Sequence, residues 1–138
     1  RAMNRLREAL AGQGASIAVT SFNRQALLTG QVPNDAARAR ATEIVRGVPD
    51  VRTVFNELSV SGATSLTSAA NDTAITASVK TRLLRDERVP GTKIKVKTEA
   101  GVVYLMGLVT PAEAEVATEI ARTTAGVTRV VTLFEYLN

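Results

Sequence analysis

Histidine and cysteine are both absent from the chain. Without histidine there is no ordinary general base, no Ser-His nucleophile pair and little means of ligating a transition metal. Without cysteine there are neither disulfides nor thiolate metal sites, and the redox compartment stays open. Tryptophan is missing as well, and aromatics make up only 4% of the 138 residues. A hydrophobic content of 45% therefore describes a core of valine, isoleucine, leucine and alanine. No apolar run approaches the roughly 18 residues of a membrane span, and no GxGxxG, Walker or similar phosphate-cradling loop occurs. The chain opens at Arg1 with neither an initiator methionine nor a signal pattern, so it reads as a mature or trimmed product.

What is present is a pattern made twice. In Lys93–Val109, KIKVKTEAGVVYLMGLV, Ile94, Val96, Val103 and Leu105 alternate with other residues around a break at Glu99-Ala100-Gly101. Alternation of period two with a glycine closing a short loop indicates a hairpin of two half-buried strands. Ile17–Val32, IAVTSFNRQALLTGQV, repeats the arrangement, and the ATEI of Ala41–Ile44 recurs at Ala117–Ile120. Ile94 lies 77 residues after Ile17, and Ala117 lies 76 after Ala41, so one residue was gained or lost where a loop tolerates it. Two copies of so long a period indicate tandem globular domains, not a solenoid.

Taken in order, Arg1–Ala11 places Ala2, Leu6, Ala9 and Leu10 on one helical face, with Gly12 or Gly14 as its stop. After the first hairpin, Asn34 or Asp35 caps a helix over Asp35–Arg46, and Asp50–Ser61 returns as a strand. Ser61–Asn71, small and uncharged, reads as a linker. Asn71-Asp72-Thr73 then offers caps for a helix through about Asp86. The second hairpin, a helix over about Ala112–Ala125 and a strand Val127–Leu137 complete the repeat. The expected fold is α+β: two tandem domains, 1–61 (its first helix cut short) and 72–138, joined by 62–71. Each is an αββαβ sandwich with a small mixed sheet packed on two helices. Gly30 and Gly107, inside apparent strands, indicate a bulge or a close helix–sheet approach, with a ligand near the backbone as the alternative.

The helix beginning near Asp72 has two faces. At 100° per residue Ile75, Val79 and Leu83 fall together and must face the sheet. Ala74, Ala77, Lys80, Thr81 and Leu84 fall opposite, with Arg85 at the edge and Arg82 beside them. A leucine aimed away from the core among small residues and cations suits a shallow contact with a lipid headgroup layer, where basic stems snorkel. Lys80–Lys97 carries Lys80, Arg82, Arg85, Arg88, Lys93, Lys95 and Lys97 against Asp86 and Glu87, a net +5. The remainder of Asp72–Asn138 has Arg122 and Arg129 against six carboxylates, a net −4. Arg88, Lys93, Lys95 and Lys97 thus form a supporting basic surface for the helix, attracted to an anionic bilayer and weakened by salt. The bland reading stands beside it: basic stretches are commonly solvated faces, and lysines on an edge strand discourage aggregation.

Other classes fit less well. A pI of about 10.0 suits nucleic acid, but stacking rings and base-reading modules are missing and the net charge of +4 is modest. Glu113, Glu115 and Glu119 sit at helical spacing on a helix of the solvated acidic kind, so no enzyme, cofactor, metal or small-molecule substrate is indicated. The serious alternative is a protein-interaction adaptor. The first copy marks no hot spot for one; its Arg38, Arg40, Arg46 and Arg52 read equally as a solvated face.

The order of capped helix, I-x-V-x-[TS], short turn, strand ending in G-x-V, helix and V-x-x-V-x-x-x-[LF] resembles the BON domain. The strings that carry the resemblance are NDTAIT at Asn71–Thr76, TEAGVVYLMGLVT at Thr98–Thr110, VTSF and LLTGQVP in the first copy, and NEL at Asn56–Leu58. Two copies in tandem resemble the dual-BON-domain lipoproteins of the Gram-negative outer membrane; soluble periplasmic two-BON proteins of the osmotic-stress type are similar. The resemblance implies a non-enzymatic protein on the periplasmic face of the outer membrane, anchored by a lipidated N-terminal cysteine that this chain does not contain. It implies that the first helix of the second domain engages anionic phospholipid of the phosphatidylglycerol type. It also implies a role in envelope integrity, with outer-membrane assembly or cell-division proteins as partners. The chain departs from such relatives at Ala74, where they carry a membrane-inserting aromatic, so insertion is expected to be shallower and more electrostatic.

Overall fold

The duplication is visible in the element order. The computed structural model describes residues 1–10, 15–60 and 66–137. The chain divides into two units, Arg1–Thr64 and Ser65–Asn138. The first contains α1 (Ala2–Leu10), β1 (Ser16–Phe22), β2 (Gln25–Val32), α2 (Asp35–Arg46), β3 (Thr53–Asn56) and β4 (Ser59–Val60). The second contains α3 (Leu66–Arg85), a 3-10 turn at Gly91–Lys93, β5 (Ile94–Glu99), β6 (Val102–Val109), α4 (Pro111–Arg122) and β7 (Arg129–Tyr136). Each unit is the expected helix–strand–strand–helix–strand arrangement. The hairpin is antiparallel, and the strand after the crossover helix pairs parallel to the hairpin's second strand. The resulting mixed sheets run β1-β2-β3, with β4 also on β2, and β5-β6-β7.

Both hairpins turn in two residues with positive φ, Asn23 (47°) and Arg24 (65°) in one and Ala100 (50°) and Gly101 (78°) in the other. That backbone matches the right-handed twist of the flanking strands. The glycines near the strand ends answer to a neighbouring strand and not to a helix. A Cβ on Gly30, whose φ is +119°, would lie 2.0 Å from the Ser16 carbonyl oxygen, and one on Gly107 would lie 3.1 Å from that of Lys93. Asn34 caps α2, its Oδ1 accepting the Ala37 N–H at 2.8 Å. Thr110 and Glu113 form a reciprocal capping box on α4, so Glu113 serves the helix end.

Three expectations need correction. The strand expected over Asp50–Ser61 is broken between β3 and β4, because the Asn56 side chain turns back on its own backbone: Oδ1 accepts the Leu58 N–H at 3.1 Å. Nδ2 of Asn56 donates to the Arg38 carbonyl, and Arg38 Nε donates to the Leu58 carbonyl at 3.0 Å, so Arg38, although exposed, also ties α2 to this segment. The helix expected from Asn71 begins at Leu66, so the later part of the stretch read as a linker is helical; residues 61–65, like Gly12 and Gly14, lie outside the described residues. Finally, β2 and β6 are not half-buried. Leu27, Tyr104 and Met106, on the face opposite the helices, are buried as well.

The cores lie between sheet and helices. In the second unit Ile75, Val79 and Leu83 of α3 meet Ile94, Val96, Val103, Leu105 and Val109 of the sheet and Ala114, Ala117 and Ile120 of α4. Leu6 of α1, packed with Leu28, Val32, Ala41 and Val45, occupies the place in the first unit that Leu83 holds in the second.

Candidate functional site

α3 is 20 residues long, about 30 Å at 1.5 Å per residue. Its inner stripe is seated by apolar burial and by polar ties at three heights. Near the start, the buried Asp72 carboxylate reaches the tip of the β5–β6 hairpin. Oδ2 accepts the Ala100 N–H at 2.8 Å and Oδ1 accepts the Gly101 N–H at 2.9 Å. Asp72 therefore caps a turn and does not start the helix. The available signal was its position: it precedes Ile75 and Val79 on the apolar stripe, and a buried carboxylate must find donors. One turn on, the Thr76 hydroxyl bonds the Thr98 hydroxyl at 2.8 Å.

The third tie is Arg82, whose Nη1 donates to the Ile120 carbonyl at 2.7 Å and to the hydroxyls of Thr124 (2.8 Å) and Thr123 (3.1 Å). These groups end α4, where unpaired carbonyls and the helix dipole favour a cation. Arg5, 77 residues earlier, does the same in the first unit, donating from Nη1 to the Gly47 carbonyl at 2.9 Å. Arg82, grouped in sequence with the lipid-facing residues, is thereby engaged by the scaffold.

The outer face is as the helical phase indicates. Ala74, Ala77, Lys80, Thr81, Leu84 and Arg85 are all exposed, and Leu84 is 60% exposed. Lys80 and Arg85 make no ion pair among the described residues. Beside this face, Ala77, Ser78, Thr81 and Arg82 of α3 and Thr123–Ala125 line an open groove of about 510 Å³.

Part of the supporting basic surface is engaged within the fold. Asp86 Oδ1 accepts from the backbone N–H and Nε of Arg88, and Oδ2 accepts from its Nη2 at 2.8 Å. The Arg88 guanidinium, bonded to its side chain, lowers the Asp86 carboxyl to about 2. Arg88 is thus paired with Asp86 at 2.8 Å. Lys93 and Lys95 are exposed and Lys97 is half-buried, and Lys95 already has a partner within the chain. Lys80 and Arg85 are the exposed cations beside Leu84 on α3 that form no ion pair among the described residues. Among the described residues no cluster of carboxylates is placed to hold a metal ion, and no helix is long and apolar enough to cross a membrane.

Comparison with known proteins adds to this geometry. The BON domain family model matches residues 3–62 and 71–138. The outer membrane lipoprotein DolP of Haemophilus influenzae is 41% identical over 118 residues, covering 86% of this chain and 61% of that protein. The 21 kDa hemolysin of Actinobacillus pleuropneumoniae is 33% identical over 136 residues, covering 99% of this chain and 70% of that protein. Osmotically-inducible protein Y of Escherichia coli is 35% identical over 118 residues, covering 83% of this chain and 59% of that protein. The chain thus spans about six-tenths of the length of DolP and of protein Y.

Proposed function

The chain belongs to the BON domain family, with two such domains in tandem, and from that premise we propose that this non-enzymatic protein binds anionic phospholipid of the phosphatidylglycerol type through the outer face of α3. Its place is the periplasmic side of the Gram-negative outer membrane, a reading supported by its similarity to the outer membrane lipoprotein DolP, and its task there is envelope integrity. The observation that carries the reading is Leu84, 60% exposed on a helix otherwise seated by its apolar stripe, with Lys80 and Arg85 unpaired on either side. An apolar side chain entering the headgroup boundary gains transfer free energy, and each cation near an anionic surface adds ~1 kcal/mol. Ala74 and Ala77 keep the surface flat enough for the helix to lie close to the headgroups.

The test is co-sedimentation of the chain with phosphatidylglycerol vesicles against phosphatidylcholine vesicles at low and high salt. Binding to the anionic vesicles alone, fading as salt rises, supports the reading. Absence of binding to both overturns it and moves the function to a protein-interaction adaptor for outer-membrane assembly or division factors.

A further inference from the structure

Between α4 and β7 the second unit has an open groove of about 530 Å³, lined in part by Ala114, Glu115, Thr118, Glu119, Thr132 and Tyr136. In the first unit the same space is filled by the chain's own side chains. The two crossover helices begin 76 residues apart, at Asp35 and Pro111, and the strand registers agree. Asn56 pairs with Leu28 as Thr132 pairs with Leu105, and Val60 pairs with Val32 as Tyr136 pairs with Val109. Ala114, Thr118 and Thr132 therefore stand where the first unit has Arg38, Thr42 and Asn56. There Arg38 crosses from α2 to the strand, donating from Nε to the Leu58 carbonyl at 3.0 Å and from Nη2 to the Asn56 carbonyl at 3.3 Å. Asn56 returns, its Nδ2 donating to the Arg38 carbonyl at 2.8 Å and to the Thr42 hydroxyl at 2.6 Å. Alanine for the arginine and threonine for the asparagine remove both halves of this latch.

We propose that the α4–β7 groove receives an arginine side chain from a segment of a partner protein, in the place that Arg38 takes in the first unit. The walls have changed to suit a cation from outside. Glu115 replaces Ala39; it is exposed and makes no ion pair among the described residues. Glu119, bonded to Arg122, adds a second carboxylate on the same helix face. Tyr136 replaces Val60 and is 56% exposed, offering the ring on which a guanidinium stacks. The carbonyls that match the two acceptors of Arg38 are those of Phe134 and Thr132, and the planar fork of arginine can meet two acceptors at once where a lysine ammonium cannot. The groove shares no residue with the outer face of α3, so the proposal stands or falls apart from the lipid reading.

The probe is N-acetyl-arginine amide, titrated into the isotopically labelled chain and followed by amide chemical shifts. A single side chain is expected to bind with a dissociation constant on the order of millimolar, giving saturable shifts at Glu115, Thr118 and Thr132. The citrulline analogue, equal in shape but uncharged, and the lysine analogue are expected to bind at least about fivefold more weakly. Glu115→Gln, at an exposed position, should lower the association constant for the arginine probe about threefold to tenfold. Ala114→Arg with Thr132→Asn rebuilds the latch of the first unit, fills the groove from within and should abolish the shifts. No saturable shift at these residues overturns the proposal, as does an equal response to citrulline or lysine. A response unchanged in Glu115→Gln overturns it too, and that variant decides the matter should the rebuilt latch fail to fold.

Discussion

Replacing Asp72 with alanine removes the carboxylate that holds the tip of the β5–β6 hairpin to α3. Two hydrogen bonds to a charged acceptor are lost, at 2.8 and 2.9 Å, and each such bond is worth about 1.5–3 kcal/mol. Ala100 is exposed and Gly101 half-buried, so water replaces part of the loss, and the net cost works out at about 2–3 kcal/mol. The turn also holds Ala100 at φ +50°, a conformation that disfavours a side chain by ~1 kcal/mol or more, and releasing the tip lets that strain relax by opening the turn. Asp72→Asn keeps the shape and one acceptor, so it loses about 1–2 kcal/mol. Both tyrosines of the chain, Tyr104 and Tyr136, lie in the second unit. Tyrosine fluorescence during urea unfolding therefore has its probes in that unit, which matters because a two-unit chain need not unfold in one step. A loss under ~1 kcal/mol for the alanine variant, or equal losses for alanine and asparagine, would refute the account of Asp72 as a turn clamp.

The remaining expectations separate the scaffold from the outer face of α3. Reversing both Lys80 and Arg85 to glutamate should weaken phosphatidylglycerol-vesicle binding at least tenfold while leaving the urea midpoint in place, since neither forms an ion pair; unchanged vesicle affinity counts against the lipid reading. Leu84→Ala should weaken vesicle binding and cost under ~0.5 kcal/mol of stability, whereas a loss of ~2 kcal/mol or more would place that side chain in the core. Arg82→Ala should do the reverse, destabilising the second unit by about 1–2 kcal/mol through the lost bonds at the α4 terminus, with vesicle affinity of the folded protein little changed. Asp86 titrates lower folded than its ordinary 3.8, so its contribution to stability is present above that value and lost as pH falls toward 2; Asp86→Asn should flatten the stability profile in that window, read from urea midpoints across acid pH.

Strand alternation, crossover helices and the inner stripe of α3 were legible in the sequence because each rests on periodicity, and periodicity is set by which side chains must leave water. The bounds of α2 came out at Asp35–Arg46 because Asn34 and Gly47 flank a strongly patterned run. Features that escaped depend on single side chains bonding distant backbone. Asp72 reads as a helix cap because asparagine and aspartate cap helices in isolation; nothing local says that its donors lie in a hairpin 28 residues on. The start of α3 is hard to read because Leu66–Ala70, LTSAA, has a single large apolar residue and so lacks the apolar stripe by which helices are recognised. The break at Asn56 and the role of Arg82 were likewise hidden in contacts across the fold.

The duplication supplies a means of telling support from function that neither copy offers alone. Residues 77 apart occupy matching places on α1 and α3. Leu6 and Leu83 are both buried, and Arg5 and Arg82 both tie down the end of the following helix, so these positions serve the fold. The outer positions do not repeat. Lys80, Thr81, Leu84 and Arg85 stand where the first copy has Met3, Asn4, Arg7 and Glu8, an exchange of apolar for charged and of cation for anion. A demand common to both folds would have held these residues alike, as it does the arginine and leucine between them. Free of that demand, the α3 face became apolar at its centre and cationic at its flanks, while the α1 face became mixed in charge. If lipid binding belongs to this surface, transplanting Lys80, Leu84 and Arg85 onto Met3, Arg7 and Glu8 should leave the first unit folded and increase affinity for anionic vesicles, read by the same co-sedimentation; no increase would mean that the three side chains do not suffice on a BON scaffold.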